Sequence, residues 1–434
     1  MKLPESMNIE TFTLPNGLKV ILEPIESARS VAIYTAVAAG PRYETKETAG
    51  LAHFLEHMLL EGTKSFPNAK EVAEYVENVG GKYGAFTEKD HVIYHVKMLP
   101  EQVERGLDFI HQILFNPLLS PKDIEKEKNI VFEEMKRAED NPEVEVWDVF
   151  NEWVWGKNQT LGRSTLGYPE TISNVTQEKL LTYLSMFYRP ANMVISIVGK
   201  MDSKKVKKIL EKLFIEENNK DFIAFDKAYI IKLAKKIKLV PYKSQQAQMI
   251  LGFPNTVTYN HPDRYALSVV ATLLGGAVSA RLFYKLVYEL GIAYSTGAYN
   301  WIGYDVGLFS IYGGFSVKNI HKAVNIILDE LVRLKTVKLS ERELKETKEK
   351  TKANIFFYTE TTDNLASMYA SQLATEKRII SLEKMEQEIN KIKAEDILRV
   401  SRRYFTNEYV RLLVRGAVDK SINTELEKLI YNFN

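Results

Sequence analysis

The sequence predicts an α+β protein made of two homologous αβ sandwich domains related by internal duplication, each a mainly antiparallel sheet packed with helices. Three observations predict it. The chain has 434 residues of which 45% are hydrophobic, enough to fill more than one core. Short segments of alternating apolar residues are interleaved with longer amphipathic ones, the periods of strand and helix. The third is a repeat. Ile172, Val175, Glu178, Leu181, Tyr188, Gly199 and Asp202 recur 217 positions later as Ile389, Ile392, Glu395, Leu398, Phe405, Gly416 and Asp419. Self-similarity at half the chain length is the mark of a duplicated unit.

Taken in order, Leu18–Leu22, Val31–Val37 and His91–Met98 read as strands of the first half, and Met249–Phe253 and Leu308–Gly313 as strands of the second. In each copy of the repeat a helix leads through an aromatic residue into an apolar strand, Met193–Val198 or Val410–Val414, followed by a Gly turn and a polar helix. Leu119-Ser120 and Leu339-Ser340 each open a charged amphipathic helix, a second pairing in the same order. The polar run Glu216–Asp221 then marks the boundary: a domain at 1–215, a linker at 216–230 and a second domain at 231–434.

Composition narrows the function. With 58 Lys+Arg against 56 Asp+Glu the net charge is +2, so no basic excess exists to neutralise phosphates, and nucleic acid is not an expected partner. The cluster Lys232, Lys235, Lys236 and Lys238 reads as a solvated face. There is no cysteine, so any metal must be held by imidazole and carboxylate. Met1–Ser6 lacks the apolar core of a signal peptide. No apolar run approaches the ~20 residues that span a bilayer. These features lead to the expectation of a cytoplasmic protein without membrane contact.

The chemistry concentrates in Gly50–Gly62, where Leu51–Leu60 is apolar except for His53, Glu56 and His57. A helix apolar on every side is a buried one, and ionisable groups inside it need partners. His53 and His57, four apart, share a helix face and can converge on one metal, with Glu56 at the edge of that face. This is the His-x-x-Glu-His arrangement of inverzincins. In isolation the pattern also fits a pair of hydrogen-bonded core histidines.

Catalytic zinc takes three protein ligands and a water. The helix opening at Pro121 carries the apolar stripe Ile124, Val131, Met135 and Ala138. At ~100° per residue, Glu127 and Glu134 fall within about 60° of the stripe's centre, whereas Glu133 points away. Glu134 is thus the candidate third ligand and Glu127 a candidate support for it; the alternative is that both reach out to solvent. His91 and His95 read as sheet packing. The second half has no such site, since Val270 and Asn354 stand opposite His53 and Glu134.

The chain resembles the pitrilysin and insulinase family of zinc proteases, in particular the short-chain branch that includes the mitochondrial processing peptidase. The likeness runs through Gly50–Thr63, Gly80-Gly81, Ala85-Phe86-Thr87, Glu127–Glu134, Asp140-Asn141-Pro142, Gly167 and Tyr188–Met193, then Ser279–Phe283 and Gly291–Tyr294. It implies one Zn2+ per chain, held by His53, His57 and Glu134, the last 77 positions beyond His57 as in the family. It also implies Glu56 as general base and hydrolysis of unfolded peptides that bind along the strand of Gly84, Ala85 and Phe86, with Tyr294 assisting. Two residues depart from the family: Gly84 stands where an Asn is usual, and Val287 where an Arg is usual seven residues before the Tyr. Short-chain relatives pair two subunits around the substrate, so a dimer is expected. A heterodimer with a homologous zinc-free chain is favoured, because such a partner would supply the missing Arg. The alternative is a non-catalytic scaffold subunit of a processing-protease-like complex.

Overall fold

The computed structural model describes residues 9–216, 224–244, 246–418 and 420–433. Met1–Ser6, residues 217–223 of the expected linker and Asp419 therefore lie outside the described residues. The chain packs as two compact units, each around one sheet. The first sheet has strands β1 (Glu10–Thr13), β2 (Lys19–Pro24), β3 (Val31–Val37), β4 (Lys82–Thr87), β5 (Val92–Met98) and β6 (Met193–Gly199), in the order β1-β2-β6-β3-β5-β4. The second has β7 (Ile237–Pro241), β8 (Gln246–Asn255), β9 (Ala293–Ile302), β10 (Gly307–Ser316) and β11 (Arg411–Gly416), in the order β7-β11-β8-β10-β9.

The two sheets are copies of one plan. Each has one parallel pair, β2–β6 or β7–β11, and is otherwise antiparallel. The repeat aligns element by element: helix Gln177–Phe187, β6 and helix Ser203–Leu213 return as helix Ala394–Tyr404, β11 and helix Lys420–Tyr431. The expected duplication and the α+β class are what the chain forms. The strands read at Met249–Phe253 and Leu308–Gly313 extend further at both ends, because polar and small residues such as Gln246, Gln248 and Ser316 pair through their backbones without an apolar signature. His91 lies just before β5, since its carbonyl accepts from Glu88 N–H and closes the turn after β4.

Strand alternation gives each sheet two apolar faces. In the first unit Val20, Ile33, Val37, Tyr94 and Val96 turn to the main helical core, where they join Phe54, Phe109, Ile110, Val131 and Leu180. The opposite face, with Ile21, Ala32, Ala36, Ile93 and Val198, is covered by Leu365, Ala366, Tyr369 and Ala370 of the helix Thr362–Thr375. In the second unit Ile250, Leu308 and Leu413 are covered by Val146, Phe150, Val154 and Trp155 of the helix Pro142–Trp155. Close approach here requires glycine: a Cβ on Gly252 would lie 2.4 Å from Phe150 Cζ.

Each unit therefore draws on both halves of the chain. Of the described residues, the first comprises those up to Lys136, those of Arg163–Asp226 and Tyr358–Ile379; the second comprises Arg137–Gly162, those of Lys227–Phe357 and those from Ile380 onward. Relative to the sequence division at 1–215 and 231–434, each packed unit trades away one helix and its flanks. The traded helices are each 14 residues long. They begin 220 positions apart, at Pro142 and Thr362, so the exchange is part of the duplicated plan. Among the described residues no helix is long and apolar enough to cross a membrane.

Candidate metal centre

The helix Leu51–Met58 buries Leu51, Ala52, Phe54, Leu55, Glu56 and Met58 and leaves His53 and His57 partly accessible. Its start is fixed by backbone and charge. Gly50 has φ +90°, and a Cβ there would strike Gly167 Cα at 2.6 Å. The Glu44 carboxylate accepts from Gly50 N–H at 2.9 Å and from Ala52 N–H at 2.7 Å, satisfying two donors of the first turn. Burial pushes the Glu44 pKa up to about 7, against the pull of those N–H groups, Lys89 and Arg163. Sequence reasoning missed Glu44, which comes from the segment before the helix and carries no motif of its own.

The helix Pro121–Asp140 supplies the facing carboxylates. His53 Nε2 and His57 Nε2 each lie 3.8 Å from Glu134 Oε2. Nitrogen and oxygen ligands of a tetrahedral zinc, about 2.1 Å from the metal, stand about 3.4 Å from one another, so a small closure of this trio would suffice. Among the described residues it is the one group of three or more such side chains whose ligand atoms lie within 4.8 Å of each other. With two imidazoles, one carboxylate and no thiolate, the donor set fits a catalytic zinc that keeps one position open. On the same helix Glu133 points away and pairs with Lys136, its side chain 72% exposed.

Glu127, only 2% exposed, stands behind the trio. Its Oε2 lies 3.0 Å from His57 Nδ1. Lys126 ion-pairs with Glu61 and lies 3.6 Å from Glu127 Oε1. Burial opposes ionisation of Glu127, but the bond to His57 and the charges of His57 and Lys126 outweigh it and lower the pKa. An ionised carboxylate can only accept, so Nδ1 of His57 carries the hydrogen, and in the neutral ring Nε2 then presents its lone pair. Burial, reinforced by His57, pushes His53 down to about 4, which keeps that ring neutral. Burial would also lower His57, yet the Glu127 bond and the Glu134 and Glu56 charges raise it overall.

Glu56 is buried, and burial raises its pKa against the Thr87 bond and the charge of His57. Its Oε2 accepts from Thr87 Oγ1 at 2.6 Å. Thr87 ends β4, the strand of Gly84, Ala85 and Phe86, which among the described residues pairs with β5 alone and forms an edge of the sheet. At Gly84 a Cβ would lie 2.8 Å from His95 Nε2, and the His95 ring stacks on Tyr34 at 4.7 Å and 9°. That ring fills the room a side chain at 84 would need.

The remaining candidates belong to the second unit. Tyr294 lies on the edge strand β9, 79% exposed. Val287 sits in the π-helical turn Tyr284–Glu289 and packs against that unit's core. Arg281 is held by Glu330 and by both oxygens of Glu343, the latter at 2.7 Å each. The helix that repeats Leu51–Met58, Arg264–Gly275, buries Val270, Leu273 and Leu274 where the first copy has His53, Glu56 and His57.

Comparison with known proteins bears on this arrangement. Residues 19–168 match the family model described as insulinase (peptidase family M16), and residues 174–351 match the peptidase M16 inactive domain. An uncharacterized zinc protease of Bacillus subtilis is 31% identical over 94% of this chain and 98% of its own. A protein of Arabidopsis thaliana named as a probable mitochondrial-processing peptidase subunit beta is 26% identical over 94% of this chain and 78% of its own. The crystal structure of a protease from Helicobacter pylori superposes with TM-score 0.85 at 22% identity, covering 94% of this chain and 99% of that one, and shares the fold.

Proposed function

Because the chain belongs to the insulinase (M16) family of peptidases, we propose that it is a zinc metalloendopeptidase that hydrolyses unfolded peptides and oligopeptides. The observation that carries the reading is the convergence of His53, His57 and Glu134 on one point with Glu56 alongside. His53, held neutral, and His57, aimed by Glu127, present Nε2, and Glu134 supplies the charged ligand. Bound zinc would polarise the scissile carbonyl and acidify a water towards ~7. Glu56 accepts the water's proton and delivers it to the leaving amine, a role its raised pKa suits. The peptide adds as a strand to the open edge of β4, where main-chain bonds along Gly84, Ala85 and Phe86 give affinity and side-chain pockets give preference. Tyr294 contributes to substrate binding.

The test separates binding from chemistry. Glu56→Gln removes the base but no ligand, so zinc measured after dialysis stays at wild-type level while cleavage of an unfolded peptide falls 10²–10⁴-fold. Cleavage at the wild-type rate by that variant would end the mechanism. A zinc-loaded wild-type chain that cleaves no peptide, alone or with a partner, would favour a non-catalytic subunit instead.

The active form is a heterodimer with a homologous zinc-free chain. A tetrahedral oxyanion calls for a cationic donor, whose loss costs about 10²–10³ in rate. Val287 cannot be that donor, and Arg281 is occupied by two carboxylates. The plant relative's name, which calls it a subunit, supports the same reading. Full activity of the purified chain alone, unchanged by adding a homologous partner, would sink the heterodimer.

A further inference from the structure

We propose that Thr87 is a positioning residue for Glu56, so that the strand receiving the peptide also aims the base; this rests on the reading of Glu56 as general base. Thr87 is the last residue of β4, where its backbone pairs with Val92. By strand alternation its side chain shares the face of Tyr83 and Ala85, which pack towards the helical core, while Gly84 and Phe86 lie on the other face. The hydroxyl thus meets the helix Leu51–Met58 and donates to Glu56 Oε2 at 2.6 Å. Among the described residues no other hydrogen bond reaches the Glu56 carboxylate. One oxygen is held and the other is left to accept a proton.

The geometry matters because Glu56 is the one member of the constellation that no metal would anchor. His53, His57 and Glu134 can be locked by a shared ion, whereas the Glu56 carboxylate has, among the described residues, the one hydrogen bond from Thr87 as its tether. A base displaced by ~1 Å from its proton can cost about 10²-fold in rate. The tether stands on the edge strand itself, two residues beyond Ala85. A peptide paired along β4 would gain its main-chain bonds from the strand that also carries Thr87, so binding and base alignment share one element. The Thr87 hydroxyl acts through Glu56.

The decisive comparison is between two small substitutions. Thr87→Val keeps shape and volume but deletes the hydroxyl; Thr87→Ser keeps the hydroxyl and deletes a methyl. Both are assayed as the zinc-loaded full chain, with its partner subunit if one is needed, against a long unfolded peptide. Thr87→Val should bind zinc and peptide as wild type does, with KM within about twofold, while kcat falls about 10–100-fold. Thr87→Ser should recover kcat to within about threefold of wild type. A role in packing alone would be moved by both substitutions and would show in thermal stability rather than in the split between kcat and KM. The proposal is overturned if Thr87→Val keeps kcat within threefold, or if Thr87→Ser is as impaired as Thr87→Val. Failure of the base assignment is read separately, as full activity of Glu56→Gln. Should Glu56→Gln be inactive and Thr87→Val fully active, Glu56 stands as the base and Thr87 falls.

Discussion

Replacing Glu127 by Gln removes one negative charge from behind His57 while preserving the side chain's size. Glu127 is 2% exposed, so no water stands ready to take over its role. The amide can still accept from His57 Nδ1 through its oxygen, at the 3.0 Å now observed, and so ring orientation survives in one amide rotamer. What is lost is the charge that favours a hydrogen on Nδ1 and raises the basicity of Nε2. Partners of this kind are worth about 10–100-fold in metal affinity, or about 1.4–2.7 kcal/mol. Burial argues for the upper part of that range, since a charge interaction in a dry site is screened little. Lys126 retains Glu61 as a counter-charge, which limits damage elsewhere. The assay is competition for zinc against a chromophoric chelator at neutral pH, with far-UV circular dichroism to confirm the fold. Glu134→Gln should lose more than Glu127→Gln, and the outward-facing Glu133→Gln should bind zinc within twofold of wild type. If Glu127→Gln were indistinguishable from Glu133→Gln, the support of His57 by Glu127 would be wrong.

Other perturbations probe the scaffold. Glu44, pushed from 4.5 up to about 7, contributes stability that is complete below its unfolded value and lost as pH rises through the folded one. The melting temperature of Glu44→Gln, which cannot ionise, should therefore improve relative to wild type between about pH 5 and pH 8; the reverse slope would mean that the helix N-terminus, Lys89 and Arg163 outweigh burial. Phe150→Ala opens a hole against Gly252 and should destabilise the second unit by about 3–5 kcal/mol in urea unfolding. A cost below about 1 kcal/mol would show that the exchanged helix is not an anchor.

Much of the grouping of His53, His57 and Glu134 was legible because its information is local. His53, Glu56 and His57 lie within one helical turn and a half, and their apolar neighbours announce burial. Glu134 and Glu127 were separable from Glu133 by helical angle alone. Thr87 and Glu44 were not legible as contacts, because their reach to the helix depends on which strand lies beside it and on how a loop returns. The exchange of helices escaped for the same reason. Val146, Phe150 and Val154 declare an apolar face on Pro142–Trp155, but nothing in their spacing says whose sheet it covers. Gly252 was the one clue, a small residue in a strand otherwise rich in Met, Ile, Leu and Phe.

The exchange also fixes a timetable for the growing chain. The strands of the first sheet are complete once β6 has been made, at Gly199. The helix that covers Ile21, Ala32, Ala36, Ile93 and Val198 ends only at Thr375. At a synthesis rate of ~5–20 residues per second, that apolar face waits roughly 9–35 seconds for its cover. During that interval the nascent protein presents an aliphatic surface that a ribosome-bound chaperone would recognise. A fragment stopping at residue 215 would carry the surface permanently, so its recovery in soluble form should depend on supplying the later half of the polypeptide in the same cell.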